Sequence, residues 1–337
     1  MDRLLIAHVD YVTDPGGSPD PIRFLFDALS RPGSLLLLGI GLVVVVLVLL
    51  AWGRWRPLEV ARTRFIEHVA GYREYLPWIV RLSVGLVLIG SGVSRVRFLP
   101  TMDADGLFAL LLTATGFLLL LGLAVRPAAL IALGAYVVTF VVNPELVMML
   151  DVAGALAAAA ILGPGRPSLD DLLRAAFPRG PGARAANVNL ASSRYDDIVP
   201  LVVRLGLGGA FAASGIVDKL FIYDQALAAV DRYQLTAVVP VAAELWVLGA
   251  ILIETALGVA IIFGVLTRFS AVIGFAVLTL ALFALPDDPV IAHVGLFGLS
   301  SVLVILGAGR WSVDRAVLAP LGNAFAAVEC GESIGAD

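Results

Sequence analysis

The residues best suited to chemistry lie in the second half of the chain. Glu254 stands near the centre of the apolar run ELWVLGAILIETALGVAIIFG, with Glu244 ten residues before it. Asp218-Lys219 closes a second apolar run, and His293 sits about one turn into a third. An ionisable side chain inside a hydrocarbon-length segment is costly unless it is paired or solvated, so each is a functional candidate. Glu254 and His293 are the candidate catalytic residues, a carboxylate and an imidazole suited to passing a proton. Lys219, Glu244 and Arg204 are the candidate cofactor-binding residues. If the helices bundle, Lys219, Glu244 and His293 share one depth with Glu254 beneath them, an acid/base chain opening toward the outside. The plain alternative is structural, since a buried carboxylate paired with Lys or Arg can simply pin helix register.

The elements that hold these residues must be membrane helices. Of the 337 residues 60% are hydrophobic and 15% charged, with a mean hydropathy of +0.96. Soluble chains average roughly 45–50% apolar and about 25% charged, so too little polar surface remains to clothe a water-soluble globule. Ser34 to Trp52 is the first span, nineteen uncharged residues against the roughly 20 that cross a bilayer. The 32 residues before Gly33 carry five Asp against three Arg, unlike the brief basic region of a cleavable signal, so the span reads as an anchor.

The remaining spans repeat. Pro77-Trp-Ile-Val-Arg81-Leu82-Ser-Val-Gly85 with Ser91-Gly92 is echoed by Pro200-Leu-Val-Val-Arg204-Leu205-Gly-Leu-Gly208 with Ser214-Gly215, at an offset of 123. Gly116, Gly122 and Arg126 return as Gly258, Gly264 and Arg268 at 142, and Gly163-Pro-Gly165-Arg166-Pro-Ser168-Leu-Asp170 returns as Gly307-Ala-Gly309-Arg310-Trp-Ser312-Val-Asp314 at 144. Each copy holds four spans: 77–95, 106–125, 127–144 and 146–163, then 199–217, 240–265, 268–286 and 290–308. With the anchor that makes nine. The expected fold is all-α, a polytopic transmembrane helical protein of two parallel-orientation four-helix bundles plus one N-terminal transmembrane helix. Four helices per copy place both copies the same way up, which disfavours an inverted-repeat transporter.

The expected organisation is an extracytoplasmic polar tail over 1–32, the anchor over 33–53, a cytoplasmic linker over 54–76, the first copy over 77–172, a flexible linker over 173–198, the second copy over 199–316 and a cytoplasmic tail over 317–337. The segments on one side of this arrangement hold 14 Lys/Arg against 7 on the other. By the positive-inside tendency the richer side is cytoplasmic, placing the N-terminus outside the cell membrane and the C-terminus with Cys330 inside. Pro178 to Ser193 reads as a tether, being rich in Pro, Gly, Ala and Ser. Gly163 and Gly307 are expected to end helices, and Ser168 and Ser312 to cap the segments that follow.

Composition narrows the chemistry further. Lys+Arg 23 against Asp+Glu 27, with no basic cluster, argues against a nucleic-acid partner. Of three histidines only His293 lies in a span, and Cys330 is the lone cysteine, so no haem or metal is expected. Electron chemistry would need a quinone, a flavin or a partner's cofactor. The first copy carries Val96, Leu112 and Met149 where the second has Lys219, Glu254 and His293, so the second reads as the working half. Asp151 is a separate polar point that could face the seam between copies. The small residues after Arg81 and Arg204 suit close helix packing.

Together Arg204-x3-Gly208, Ser214-Gly215-x3-Lys219, Glu254, Gly264-x3-Arg268, His293 and Gly307-x-Gly309-Arg310-x-Ser312-x-Asp314 resemble the DoxX family of small four-helix membrane proteins. The resemblance covers 199–316 well and 76–172 more faintly, as a tandem pair with an added N-terminal helix. It implies an integral membrane subunit of a quinone-linked oxidoreductase system, with a quinol and proton site at Glu254 and His293. Two other readings stand beside it: a non-catalytic anchor docking a soluble redox partner on the cytoplasmic side, and a small-solute or proton transporter. The lipid bilayer is the first partner, and a homo-oligomer is compatible with the family pattern.

Overall fold

The computed structural model describes residues 20–54, 57–177, 193–286 and 290–318. Cys330, the tail before residue 20 and the tether up to residue 192 lie outside the described residues. Helix α1 (Pro21–Ser30) is capped by Asp20, whose carboxylate accepts from the Arg23 N–H at 3.0 Å. Helix α2 (Pro32–Arg54) covers the expected anchor, and the chain turns by 80° between the two. Within the stretch 54–76 the chain forms α3 (Pro57–Ala70) and a 3₁₀ turn (Gly71–Tyr75) that lead into α4 (Leu76–Val93). Hydropathy marks where a helix is greasy, and it misses the polar continuation of the same helix.

The first set continues through a hairpin of β1 (Val96–Arg97) and β2 (Leu99–Asp103), then α5 (Gly106–Leu121), α6 (Val125–Val142), a 3₁₀ turn (Pro144–Met149), α7 (Leu150–Leu162) and the short α8 (Leu169–Ala176). The second set begins at α9 (Ser193–Ala213), ahead of the expected start at 199, and passes into a π-helical stretch (Ser214–Phe221). Two short helices, α10 (Tyr223–Arg232) and α11 (Leu235–Val238), fill the longer loop of this set. They are followed by α12 (Ala243–Phe263), α13 (Thr267–Ala284) and α14 (Val290–Leu306). Six helices among the described residues have the length and hydropathy to cross a membrane. Helices α5 and α14 are apolar but shorter, at 16 and 17 residues, or about 24–26 Å at 1.5 Å per residue.

Glycines bring the helices together. A Cβ on Gly85 would stand 3.0 Å from the Gly116 carbonyl oxygen, and one on Gly208 would stand 2.7 Å from that of Gly258, so α4 meets α5 and α9 meets α12 backbone to backbone. Between the sets, the first helix of each packs on the last helix of the other. Gly154 of α7 faces Gly206 of α9, where either Cβ would fall within 2.8 Å of the other Cα. In the matching seam Ser83 of α4 lies against Gly298 of α14, and Asp151 Oδ2 lies 2.6 Å from where Gly295 would carry a Cβ. One continuous apolar core therefore runs through both sets.

The repeated Gly-x-Gly-Arg-x-Ser-x-Asp segments work alike in the two sets. Gly163 and Gly307 end their helices at φ 76° and 78°. Ser168 accepts from the Asp171 N–H at 3.2 Å and Ser312 from the Arg315 N–H at 3.3 Å, the caps expected of them. Asp170 and Asp314 reach across to the turn before the third helix, where Ala124 and Leu266 adopt left-handed backbone at φ 49° and 44°. Asp170 accepts from the Ala124 N–H, and Asp314 accepts from the Leu266 and Thr267 N–H groups. These bonds offset the strain of a side-chain-bearing residue in that region.

Candidate functional site

A polar group sits where α12 passes the π-helical stretch. Lys219 Nζ lies 2.9 Å from Glu254 Oε2 and 3.2 Å from Asp218 Oδ2, and donates to Ser214 Oγ at 2.9 Å. The side chains of Lys219 and Glu254 are 14% and 16% exposed, and that of Asp218 5%. Glu254 is midway along the 21 residues of α12, so one ammonium and two carboxylates meet at the middle of that helix. The π geometry explains the meeting. With i→i+5 hydrogen bonding, Lys219 comes back over Ser214, five residues earlier, a contact that α-helical winding would swing to the far side. Thr255 Oγ1 is buried beside this group without a hydrogen-bond partner, and a Cβ on Gly215 would stand 2.6 Å from it.

Of the sequence candidates, Lys219 and Glu254 come together here. Glu244 is held at the end of α12 by Arg31, which donates to both of its carboxylate oxygens at 2.9 and 3.0 Å. Arg204 is 2% exposed near the opposite end of the bundle, where its guanidinium donates to the carbonyls of Ile262, Ala308 and Trp311. Arg81 does the same in the first set with Pro77, Leu119 and Pro167. Each guanidinium ties its own helix to the end of the second helix of its set and to the loop after the fourth. His293 is fully buried in α14, its ring 6.4 Å from that of Phe297, which in turn packs on Phe275 at 4.7 Å. Sequence reading named Asp218 only alongside Lys219 and Ser214 only within the repeated motif, and it did not single out Thr255.

The matching place in the first set is filled by hydrocarbon. Leu112 and Phe98 are fully buried there. Phe98, carried on the hairpin at φ 68°, stacks edge-on against Tyr136 and Phe108 at 5.5 and 6.1 Å. Tyr136 donates its hydroxyl proton to the Leu146 carbonyl at 2.8 Å.

A second apolar cluster covers the polar group on its loop side. Phe24 of α1 joins Ala226 and Val230 of α10 with Val247 and Ile251 of α12. Phe24 and Tyr223 stack at 4.4 Å with their planes 10° apart.

The helices define a polytopic all-α membrane protein with a lipid bilayer as its surroundings. Residues 199–287, which include Lys219 and Glu254, match the DoxX family model. No curated protein and no solved structure matches the chain.

Proposed function

We propose that the protein is an integral membrane subunit of a quinone-linked oxidoreductase system, and that the group around Lys219 and Glu254 is its quinol and proton site. The observation that carries this reading is the 2.9 Å ion pair at mid-span with a second carboxylate beside it. Two carboxylates against one ammonium leave an unbalanced negative charge when both are ionised, and a proton arriving from a bound hydroxyl removes that imbalance. The residues fit a quinone's oxygens: Lys219 donates toward a carbonyl oxygen, Glu254 accepts from a hydroxyl, and the buried Thr255 hydroxyl lacks a partner in the protein. A quinone when bound supplies two-electron, two-proton chemistry. Asp218 and Ser214 hold the Lys219 ammonium in place, and surrounding apolar helices exclude water from the exchange.

The resemblance of 77–172 to 199–316, the shared arginine clamps and the reciprocal seams support reading the chain as two DoxX-like units in which only the second keeps a site. The basic bias of the arginine-clamp end supports a cytoplasmic location for that end. The test is the quinone content of gently purified protein, extracted and weighed by mass spectrometry, for wild type and Glu254→Gln. Near-stoichiometric quinone that falls in the variant supports the reading, and absence of quinone from wild type, or equal retention by the variant, overturns it.

A further inference from the structure

We propose that the helix Pro21–Ser30 is a latched flap that closes the Lys219–Glu254 site to water on its loop side, so that the site takes its ligand sideways from the bilayer. The inference rests on that group being the working site. Three features of the structure carry it.

The first is the plug. On α12 the residues one and two turns from Glu254 on the loop side are Ile251 and Val247, both buried in the cluster that Phe24 completes. Ala28 is 2% and Phe24 7% exposed, so this amphipathic helix is seated rather than adrift, while Ile22 and Phe26 on its other side stay exposed. The second is the latch. Arg31, the residue at which the chain bends toward α2, grips Glu244 through both carboxylate oxygens. These side chains are 49% and 34% exposed, which makes the contact reversible, since an exposed ion pair is worth little against solvent.

The third is the remaining direction. Toward the arginine-clamp end the site is shut by Gly258 against Gly208 and by the buried Leu257 and Ile261. With both axial directions packed, the residual exposure of Lys219 and Glu254 is left to the side of the bundle, where Ile253, next to Glu254 on its helix, and Ile216, three residues before Lys219, are exposed. Those side chains belong against acyl chains. A ligand entering there must be dissolved in the membrane, with an apolar body and a polar head that meets Lys219, Asp218 and Glu254.

The test is cysteine accessibility, which needs no bound ligand and so fails or succeeds independently of the quinone reading. Ser214→Cys is placed in a Cys330→Ser background, and the protein is held in phosphatidylcholine nanodiscs. It is reacted with a charged, water-soluble thiol reagent and with an uncharged, bilayer-soluble maleimide. The charged reagent should react slowly and the bilayer-soluble one readily. Glu244→Gln should raise the charged-reagent rate about fivefold, the factor an exposed ion pair of this kind contributes. Phe24→Ala should raise it further, and the bilayer-soluble rate should stay within about twofold of its starting value in both, since the lateral route is untouched. The charge exchange Arg31→Glu with Glu244→Arg should restore the slow rate, which separates a latch from general loosening of the fold. Rapid reaction with the charged reagent while the latch is intact, no acceleration on its release, or failure of the bilayer-soluble reagent to react would each overturn the proposal.

Discussion

Lys219→Met should destabilise the protein far more than Glu254→Gln, although the two changes break the same ion pair. With both carboxylates ionised the wild-type group carries one ammonium and two negative charges, at 2.9 and 3.2 Å. Glu254→Gln leaves Lys219 paired one to one with Asp218 and keeps its bonds to Asp218 and Ser214, so the loss should be about 1 kcal/mol. Lys219→Met leaves two carboxylates in a dry site without their shared counter-ion. The lost attraction over such a distance is about 6 kcal/mol at an effective dielectric near 20, and removing one partner of a buried pair typically costs about 3–5 kcal/mol net. At about 2 °C per kcal/mol for a chain of this size, Tm should fall by about 6–10 °C in the first case and about 2 °C in the second. The combination Lys219→Met with Glu254→Gln should recover part of the larger loss, because a single uncompensated charge remains. Thermal unfolding in nanodiscs, followed by circular dichroism, reads all three. Equal shifts, or a larger one for Glu254→Gln, would refute the charge reasoning.

Arg204→Met should lower stability by about 3 kcal/mol, because three carbonyls lose a buried charged donor at about 1 kcal/mol each. Arg81→Met should do the same, and a variant of either clamp with unchanged Tm would show that its bonds are dispensable. Phe98→Ala should cost about 3–5 kcal/mol through the cavity left by a fully buried ring, and denaturant or thermal unfolding checks it. Asp105 caps α5 from the loop before it, and the Phe108 N–H it accepts holds its carboxyl below the usual carboxylate range, assisted by the N–H of Leu107 and by Arg97. A depressed carboxyl contributes stability above its ordinary titration range and loses it as pH falls through the folded-state value. Asp105→Asn should therefore flatten the acid limb of the stability profile between pH 5 and pH 2 on the order of one such group, and an unchanged limb would remove this cap from the account.

The sequence by itself determined that the protein lives in a bilayer, because 15% charge cannot clothe so apolar a chain. It also determined where the long apolar helices lie, since a span must be apolar and punctuated at its ends, and the serine and glycine caps follow from local chemistry, whereas the polar helices α1, α3, α8, α10 and α11 carried no such signal. Candidate residues were legible one at a time, Glu254 and Lys219 by the cost of burying charge. What they touch was not legible, because pairing depends on helix rotation. The π-helical winding over Ser214–Phe221 turns Lys219 onto Ser214, Asp218 and Glu254, and hydropathy carries no signal for a change of winding. Glu244 lies at the end of the same helix as Glu254, and tertiary structure decided its role by seating an N-terminal helix beside it, 213 residues away along the chain from Arg31. Arg204 followed the same rule: three carbonyls from distant segments converge on it only once the helices have packed.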